Sequence, residues 1–419
     1  MKGILIKGVL LDNEVKDILI EGETIIKIGE SISTNDKDIV VVSGAGKVAI
    51  PGLINMHTHS AMTLMRGVKE DAKLKTWLNE IWAIEPHLDE ELIYWGTKLA
   101  CLEMIKTGTT CFNDQYWMVE TAVKAVTEMG LRAFLPYVIL DLFDKNKAQH
   151  LKEECVRTYE ASKRWNPLTR FAIGIHSPYS VSEEMIVWAS EFARAHNLLV
   201  HIHISETAAE NKESIRKHGL TPTAYLEKLG VLGPEVIAAH CVWLNGEDIR
   251  ILARHNVKAV HNINSNLKLA SGYRFRYREL KDAGVTVCMG TDGCASSNNL
   301  DLREALKTAA LVQKAWRKDP SAMPLEELMN AATVNGAYAL RLNTGVLAEG
   351  ALADLCLIDI NNYAFTPTIN FLGNFIYSAN SSCVDTVICN GNMVMQNRIV
   401  PGEQEILDQV NKLYKKLLK

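Results

Sequence analysis

The sequence lacks the features that would place it in a membrane or in an oxidising compartment. No uninterrupted apolar stretch reaches the roughly 18–20 residues that span a bilayer, and the mean hydropathy is -0.01. The nine cysteines are scattered from Cys101 to Cys389 and form no CxxC pair. We therefore expect neither a disulfide framework nor a thiolate zinc site, but small buried thiols in a reducing cytosol.

The sequence also lacks an excess of positive charge and a glycine-rich phosphate-binding pattern. It contains 45 Lys and Arg residues and 49 Asp and Glu residues, which gives a formal net charge of -4. This balance offers no basic field for nucleic acid and no polybasic segment for a membrane surface. The start of the chain is too short and too charged for a secretory signal. We therefore expect a cytoplasmic protein without nucleic-acid or membrane partners.

What the sequence does contain is enough apolar material for a large globular fold. Of its 419 residues, 47% are hydrophobic and 22% are charged, and at about 150 residues per domain the length suggests two or three domains. Short β-branched strands fill residues 1–50, and similar strands at 354–358 and 386–389 precede a hairpin signal, Asn390-Gly391, and a terminal helix. We therefore expect residues 1–50 and 345–419 to form one small β-sandwich domain.

Between these ends, short apolar runs alternate with helical stretches such as Glu90–Thr107 and Glu183–His196. Eight candidate strands each end in a polar cluster, namely Val48–His59, Thr109–Asp114, Arg132–Ile139, Phe171–Pro178, Leu198–Ser205, Val236–Val242, Val257–Asn264 and Val285–Asp292. This repeated alternation is typical of a (β/α)8 TIM barrel, an α/β fold that we place at residues 51–344. A doubly wound sheet is the alternative, but its usual phosphate-binding loop is missing.

Polar side chains collect at the ends of several predicted strands, where barrel active sites form. His57 and His59 end the first strand two residues apart, so both face the barrel interior. His203 lies near the end of the fifth strand, Asp292 ends the eighth, and His201 is interpreted as an interior packing residue. A single histidine here would more often be a satisfied core residue. The set as a whole predicts a Zn²⁺ or Fe²⁺ site.

Elementary chemistry assigns roles to the residues around this site. Three histidines and one carboxylate leave room for a water molecule, whose pKa a bound metal lowers toward neutrality. Asp292 is placed to take the proton of that water, and Glu206 to carry a proton to the substrate. His240, at the end of the sixth strand, is placed to polarise the attacked centre. The predicted reaction class is metal-assisted attack of water on an unsaturated carbon.

Longer motifs around these residues resemble a known family. PGLINMHTH at 51–59, the strands of His203 and His240, and GTDG at 290–293 resemble the amidohydrolase superfamily. Ile84-Glu85, HSPY at 176–179, HISET at 203–207, SNLKLASG at 265–272 and TDGCASSNN at 291–299 are similar to its 5-methylthioadenosine/S-adenosylhomocysteine deaminases. The likeness runs over nearly the whole chain, including GVLAEGALAD at 345–354, where such proteins re-enter their β domain.

The resemblance implies a mononuclear metal centre. Here the fourth strand ends in His176, whereas members with two metals usually carry a bridging lysine or glutamate there. One Zn²⁺ per subunit, with Fe²⁺ as the alternative, is implied, and its ligands are His57, His59, His203 and Asp292. By the same resemblance, His240 bonds the attacking water, Glu206 protonates the purine ring, and Asp292 passes a proton to the leaving ammonia.

The resemblance also implies an adenine nucleoside substrate. Glu85 would bind the ribose hydroxyls, since a carboxylate accepts well from a vicinal diol. Without the resemblance, Glu85 would be interpreted as a solvated helix residue. His176 would contact the nucleoside. Trp77 and Trp82 are pocket walls or core residues, and Ser296 bonds the substrate or caps a turn. The implied activity is hydrolytic deamination to an inosine-type nucleoside and ammonia, by an enzyme that we expect to be a homo-oligomer. The alternative is a deaminase or chlorohydrolase of another aminated heterocycle, such as guanine, a pterin or a triazine.

Two departures from the family pattern bear on the substrate. Tyr137 stands where members that accept S-adenosylhomocysteine are expected to hold its terminal carboxylate with arginine, and Lys145 and Lys147 offer only point charges. This favours neutral 5′-groups, as in 5-methylthioadenosine, 5′-deoxyadenosine or adenosine. The second departure is the pair Arg274 and Arg276, for which three roles stay open. They bind the terminal carboxylate in place of the missing arginine, select another base, or form a basic strip on the surface.

Overall fold

Two eight-stranded sheets organise the chain in the computed structural model, which describes residues 3–34, 36–72 and 74–417. The strands are β1 (Gly3–Leu11), β2 (Glu14–Glu21), β3 (Thr24–Gly29), β4 (Ile39–Ser43), β5 (Lys47–Pro51), β6 (Leu53–Thr58), β7 (Thr109–Asp114), β8 (Arg132–Ile139), β9 (Thr169–Ile175), β10 (Val200–Ile204), β11 (Val236–His240), β12 (Lys258–His261), β13 (Val287–Met289), β14 (Leu355–Asp359), β15 (Val384–Cys389) and β16 (Asn392–Met395). The helices are α1 (Leu74–Ile84), α2 (Glu90–Lys106), α3 (Val119–Met129), α4 (Lys145–Ser162), α5 (Glu183–Ala195), α6 (Ala208–His218), α7 (Pro222–Lys228), α8 (Gly246–Arg254), α9 (Ile263–Lys268), α10 (Tyr277–Asp282), α11 (Cys294–Ser297), α12 (Leu302–Arg317), α13 (Leu325–Ala332), α14 (Val334–Ala339), α15 (Phe371–Gly373) and α16 (Glu403–Leu417).

The second sheet is a parallel barrel. Strands β6 to β13 follow one another in chain order, and each pairs in parallel with the next. The barrel closes where the chain leaves β13, because the amides of Thr291 and Asp292 donate to the carbonyl of His57 at 3.2 and 3.0 Å. Helices lie between successive strands along the chain. The predicted (β/α)8 barrel is therefore confirmed, and β7 and β8 have the predicted bounds.

The predicted first barrel strand, residues 48–59, is wrong in its extent because it consists of two strands. β5 ends at Pro51 and belongs to the first sheet, whereas β6 begins at Leu53 and belongs to the barrel. The chain crosses between the sheets at Gly52, where a Cβ atom would lie only 2.1 Å from Oγ1 of Thr110. Glycine permits this close approach of the two segments. The predicted eighth strand is likewise shorter, with β13 spanning Val287–Met289.

The first sheet joins both ends of the chain into one small domain. Its order is β16-β15-β14-β5-β1-β2-β3, with β4 pairing in parallel with β1. β14 pairs antiparallel with β5, placing Leu355 opposite Pro51. Asn390 and Gly391, with φ of 50° and 70°, turn β15 into β16, as the hairpin signal predicts. The β-sandwich built from both chain ends is confirmed, while its boundaries at 50 and 345 stay predictions.

Apolar side chains fill the floor of the barrel and leave its upper end to polar residues. Ile54, Met56, Cys111 and Cys288 are buried there together with Leu340, which follows α14. All nine cysteines are buried and unpaired, as expected. Within the described ranges, no helix combines the length and the apolar composition needed to cross a membrane. The barrel therefore presents its polar strand ends on one side only, above a packed core.

Candidate active site

Strand ends bring the predicted metal ligands together at the upper end of the barrel. His57 and His59 lie at the end of β6, His203 lies in β10, and Asp292 follows β13. The Nε2 atoms of His57 and His59 lie 3.4 and 3.2 Å from Oδ1 of Asp292. Ligand atoms of His57, His59 and His203 lie within 4.8 Å of one another, as do those of His57, His240 and Asp292. The two overlapping groups share one small volume.

Hydrogen bonds at the Nδ1 atoms orient the three imidazoles of the predicted ligand set. Nδ1 of His59 donates to the carbonyl of Gln115, and Nδ1 of His203 donates to the carbonyl of His176, both at 2.6 Å. Nδ1 of His57 shares a hydrogen bond of 2.7 Å with His201. The buried Nε2 of His57 makes no hydrogen bond of normal geometry within the described chain. Such fixed imidazoles with a free Nε2, beside a carboxylate, fit a divalent metal.

His201 has a more specific place than the predicted packing role. Its Nε2 shares a hydrogen bond with Nδ1 of His57, and its Nδ1 lies 2.7 Å from the side-chain amide nitrogen of Asn113. Asn113 in turn donates to the carbonyl of Met56 at 3.2 Å. The sequence analysis missed Asn113, although it lies at the end of a strand and the strand-end rule that found the histidines applies to it. This buried chain of contacts holds the ring of His57.

Asp292 is held in its ionised form by its surroundings. Burial favours the neutral acid, but the close imidazoles of His57 and His59 outweigh burial and hold the pKa of Asp292 well below its usual range. The hydroxyl of Ser265 donates to Oδ2 at 2.6 Å, and the amide of Gly293 donates to Oδ1 at 2.9 Å. Asp292 adopts a φ of 62°, an uncommon conformation for this residue type. Its carboxylate is thus both charged and fixed.

Glu206 and His240 form a second pair beside the ligand cluster. Oε2 of Glu206 lies 3.9 Å from Nε2 of His240. The side chain of Asn266 donates to Nδ1 of His240 at 3.0 Å, so the neutral ring carries its proton on Nε2. Burial, and then the charge of Asp292, raise the pKa of Glu206 to about 8. In the absence of a metal, this environment favours the protonated form of Glu206 near neutral pH.

A cleft of about 750 Å³ lies above these residues and opens to solvent. Five aromatic residues line the cleft, namely Trp77, Trp82, Tyr116, Trp117 and Tyr179. The indole nitrogen of Trp77 donates to the carbonyl of Ala295 at 3.1 Å, which fixes this buried ring in place. Aromatic faces of this kind suit a flat heterocycle. Both tryptophans line the cleft, and Trp77 also packs in a buried apolar cluster with Ile81 and Leu269.

Glu85 and His176 also line the cleft. Glu85 follows α1 directly and accepts a hydrogen bond of 3.1 Å from the hydroxyl of Tyr116. Burial raises the pKa of Glu85, although hydrogen bonds from Tyr116 and Trp117 oppose this change. Nδ1 of His176 lies 2.7 Å from Oγ of Ser180, and burial lowers the pKa of His176 to about 4, so the ring is neutral. Both predicted substrate contacts therefore face the space where a ligand would bind.

Three predicted residues lie away from the cleft. The hydroxyl of Ser296 is buried and donates to the carbonyl of Gly293 at 3.0 Å. Arg274 is exposed and bonds the hydroxyl of the preceding tyrosine, and Arg276 lies 3.6 Å from Glu279. The described lining of the cleft includes none of the three. The hydrogen bond of Ser296 is the kind that caps a turn, and the substrate contact predicted for it stays a prediction, as do the roles of the two arginines.

The sequence analysis missed the loop after β7. Gln115, Tyr116 and Trp117 all line the cleft. Their position in the sequence could have identified them, because active-site residues of this fold lie in the loops directly after the barrel strands. The analysis also missed Val138 and Leu140, which line the cleft at the end of β8 and just after it. Apolar residues at strand ends carry no chemical signal that would single them out.

Comparison with known proteins identifies the family. The family model described as the amidohydrolase family matches residues 48–394. The chain belongs to the amidohydrolase family. This membership confirms the resemblance seen in the motifs, and together with the cluster of histidines and aspartate it supports a divalent metal at the site.

The relatives in this family include nucleoside deaminases. The 5′-deoxyadenosine deaminase of Methanoregula boonei is 45% identical over 413 residues, which span 97% of this chain and 93% of that protein. The 5-methylthioadenosine/S-adenosylhomocysteine deaminase of Thermococcus sibiricus is 43% identical over 395 residues, spanning 94% of this chain and 92% of that protein. The crystal structure of an adenosine deaminase from Xanthomonas campestris with bound zinc matches with a TM-score of 0.92 at 29% identity, spanning 99% of this chain and 98% of that one.

Proposed function

We propose that this chain is a zinc-dependent hydrolytic deaminase that converts an adenine nucleoside to the inosine-type nucleoside and ammonia. The observation that carries the proposal is the position of the buried acid Glu206, which lines the same cleft as the metal-ligand cluster and lies 3.9 Å from His240. An acid at this position can protonate a ring nitrogen before water attacks the neighbouring carbon. The activities named for the two curated relatives and for the crystal structure support the same reaction.

The metal would be held by His57, His59, His203 and Asp292. Imidazole and carboxylate ligands suit zinc, and the free Nε2 of His57 supports a metal at this position. When bound, the metal lowers the pKa of a coordinated water and so supplies a nucleophile near neutral pH. Iron is the alternative, and elemental analysis of the purified protein distinguishes the two metals.

Two side chains would move the protons of the reaction, and a third would orient the water. Glu206 would donate its proton to the ring nitrogen next to the attacked carbon, while Nε2–H of His240 would orient the attacking water. Asp292 would take one proton from that water and deliver it to the amino group, which leaves as ammonia. The proton left on the new hydroxyl group would return to Glu206 as the carbonyl forms. A C–O bond forms and the C–N bond breaks, so the reaction consumes only water and needs no oxidant or reductant.

A second cavity supports a neutral 5′-group on the nucleoside. It shares Trp82, Glu85, Trp117 and Leu140 with the main cleft. Its other lining residues are Pro86, Leu88, Ile93, Met118, Leu142 and Lys147. Because this cavity begins at Glu85, which we assign to the ribose hydroxyls, it is placed to receive the 5′-substituent. Its mostly apolar lining suits a methyl or methylthio group.

The charges around the cleft disfavour a 5′-group that ends in a carboxylate. No lysine or arginine is among the described residues that line the main cleft. The hydroxyl of Tyr137 donates to Glu154 at 3.1 Å, and Tyr137 is not part of that lining. Lys147 is the one cation in the described lining of the second cavity, and lysine lacks the two-pronged geometry of arginine. We therefore propose 5′-deoxyadenosine and 5-methylthioadenosine as better substrates than S-adenosylhomocysteine.

Ammonia release by the zinc-loaded chain tests the function directly. The substrates are adenosine, 5′-deoxyadenosine, 5-methylthioadenosine, S-adenosylhomocysteine, guanine and a pterin. We expect the highest kcat/KM with the neutral 5′-groups, a lower value with S-adenosylhomocysteine, and no turnover of guanine or pterin. Turnover of guanine or pterin without turnover of nucleosides would replace this proposal by the other-heterocycle alternative. An inert protein that binds no zinc would overturn the enzyme assignment.

We also propose a homo-oligomer located in the cytoplasm. The nine buried, unpaired thiols suit a reducing compartment. Light scattering of the purified chain measures the oligomeric state, and a monomer at micromolar concentration would contradict this part of the proposal.

A further inference from the structure

A buried carboxylate lies directly behind Glu206. Glu210 is on α6, and its two carboxylate oxygens accept hydrogen bonds from two consecutive amides, that of Ser205 at 2.9 Å and that of Glu206 at 2.8 Å. The hydroxyl of Thr207 in turn accepts from the amide of Glu210 at 3.0 Å. Thr207 and Glu210 have the spacing of a capping box, in which the glutamate ordinarily bonds the amide of the capping residue. In this structure the carboxylate of Glu210 bonds the amides of the two residues before Thr207, which are Ser205 and Glu206.

The backbone held by Glu210 is sharply turned. Ser205 has a φ of 53°, in the left-handed region that non-glycine residues rarely adopt. The carbonyl of Ser205 accepts from the amides of Val242 and Trp243 at 3.1 and 2.9 Å, in the segment after His240. The turn at Ser205 is therefore held from both sides, by backbone amides on its carbonyl and by Glu210 on its amides. Glu206 is the first residue after this turn.

We infer that Glu210 is a positioning residue of the active site, which fixes the backbone of Glu206 so that the acid of Glu206 reaches the substrate. Glu210 is outside the described lining of the cleft, so it acts through Glu206. No other described carboxylate accepts from the amide of Glu206. This inference rests on the deaminase function proposed above, in which Glu206 is the proton donor.

The first test compares Glu210→Gln with the wild-type chain, both loaded with zinc. Glutamine has one acceptor oxygen in place of two, so it can accept from only one of the two backbone amides in this way. Its NH₂ group would face the other amide, and both of these groups are donors. Because a misplacement of about 1 Å can cost about 100-fold in rate, we expect kcat to fall about 10- to 100-fold while KM changes less than about threefold. Bound zinc should stay equimolar. Glu213→Gln is the matched control, since Glu213 lies on the same helix and pairs with Arg216 at the surface.

A double-mutant cycle separates positioning from a general role in folding. If Glu210 acts through the acid of Glu206, Glu210→Gln should have little further effect on kcat once Glu206→Gln is present. An undiminished further loss in that background would overturn the inference. Wild-type kcat in Glu210→Gln would also overturn it, as would loss of zinc, which would shift the effect to the ligand His203.

Glu210→Asp keeps the inference testable if the glutamine variant fails to fold. Aspartate keeps the carboxyl group but withdraws it by one methylene, about 1.5 Å. We expect a reduced kcat with zinc retained, whereas wild-type kcat would show that the reach of the carboxyl group to the two amides does not matter and would overturn the inference. If the wild-type chain releases no ammonia, the proposed function itself fails. If the wild type turns over and the Glu210 variants match it, only the positioning role fails.

Discussion

Replacing Glu85 with glutamine isolates what one carboxylate contributes to nucleoside binding. The substitution keeps the size of the side chain and an oxygen that can accept the hydrogen bond from Tyr116, which is 3.1 Å long. It removes the negative charge that we assign to the 2′- and 3′-hydroxyls of the ribose. The fold around Glu85 should therefore persist, and the change should appear in substrate binding.

The size of the effect follows from the strength of hydrogen bonds. A bond to a charged group contributes about 1.5–3 kcal/mol and a neutral one about 0.5–1.5 kcal/mol. Weakening two ribose bonds by about 1 kcal/mol each costs about 2 kcal/mol. At about 1.4 kcal/mol for each tenfold change, KM should rise about 30-fold. The value of kcat should stay nearly unchanged, because the ribose contact is the same in the ground state and the transition state.

Steady-state ammonia release with adenosine and with 2′,3′-dideoxyadenosine measures this effect. The two substrates differ only in the two ring hydroxyls, so Glu85→Gln should raise KM for adenosine and leave KM for the dideoxy compound unchanged. Glu80→Gln is the control, because Glu80 is exposed on α1, the helix that ends directly before Glu85, and pairs with Lys69 at 3.4 Å. An equal rise in KM for both substrates, or no rise for either, would refute the ribose assignment.

Three further predictions concern the metal, the acid and the join between the domains. His203→Ala removes one of four ligands, so the purified variant should not retain equimolar zinc by elemental analysis, and a retained equimolar metal would contradict the ligand assignment. Because the protonated form of Glu206 is the donor and its pKa is about 8 without metal, kcat should be present below that pH and lost above it. Bound zinc can only move this loss of kcat to lower pH. A kcat that stays constant through pH 9 would therefore contradict the role of Glu206. Asp354, directly before β14, pairs with the guanidinium of Arg132, whose side chain is 5% exposed. Asp354→Ala leaves this buried cation with no carboxylate and, among the described residues, only the side-chain oxygen of Asn390 as acceptor, so it should lower the free energy of unfolding in urea by about 3–5 kcal/mol. A loss below about 1 kcal/mol would show that Asn390 or water compensates for the missing carboxylate.

Much of the predicted site follows from local pattern. An apolar run that ends in a polar cluster can be read from neighbouring residues, and parallel barrel strands all end on the same side. The strand ends at His203 and Asp292 are therefore enough to predict that both residues approach His57, and in the structure each has a ligand atom within 4.8 Å of one on His57. The roles assigned to them stay predictions until the metal and the activity are measured.

Other features could not be read locally because they depend on partners far along the chain. His201 reads as a core residue until β6 brings His57, 144 positions away, to its ring. The break at Gly52 depends on the approach of Thr110. Tyr116 was not singled out because an aromatic residue in a loop has no chemical signal until Glu85 lies beside it. Glu210 fits an ordinary helix cap in sequence, and only the folded turn at 205–206 brings the backbone amides of Ser205 and Glu206 to its carboxylate.

The sequence by itself determined the class of fold, the side of the barrel that carries the polar residues and the kind of chemistry those residues can perform. These depend on the periodicity of strands and helices and on the functional groups of single side chains, both of which are local properties. Only the tertiary structure decided the burial that raises the pKa of Glu206, the hydrogen bonds that orient the imidazoles and the mostly apolar lining of the second cavity. Those properties arise from burial and from contacts between distant segments, so they exist only once the barrel has closed.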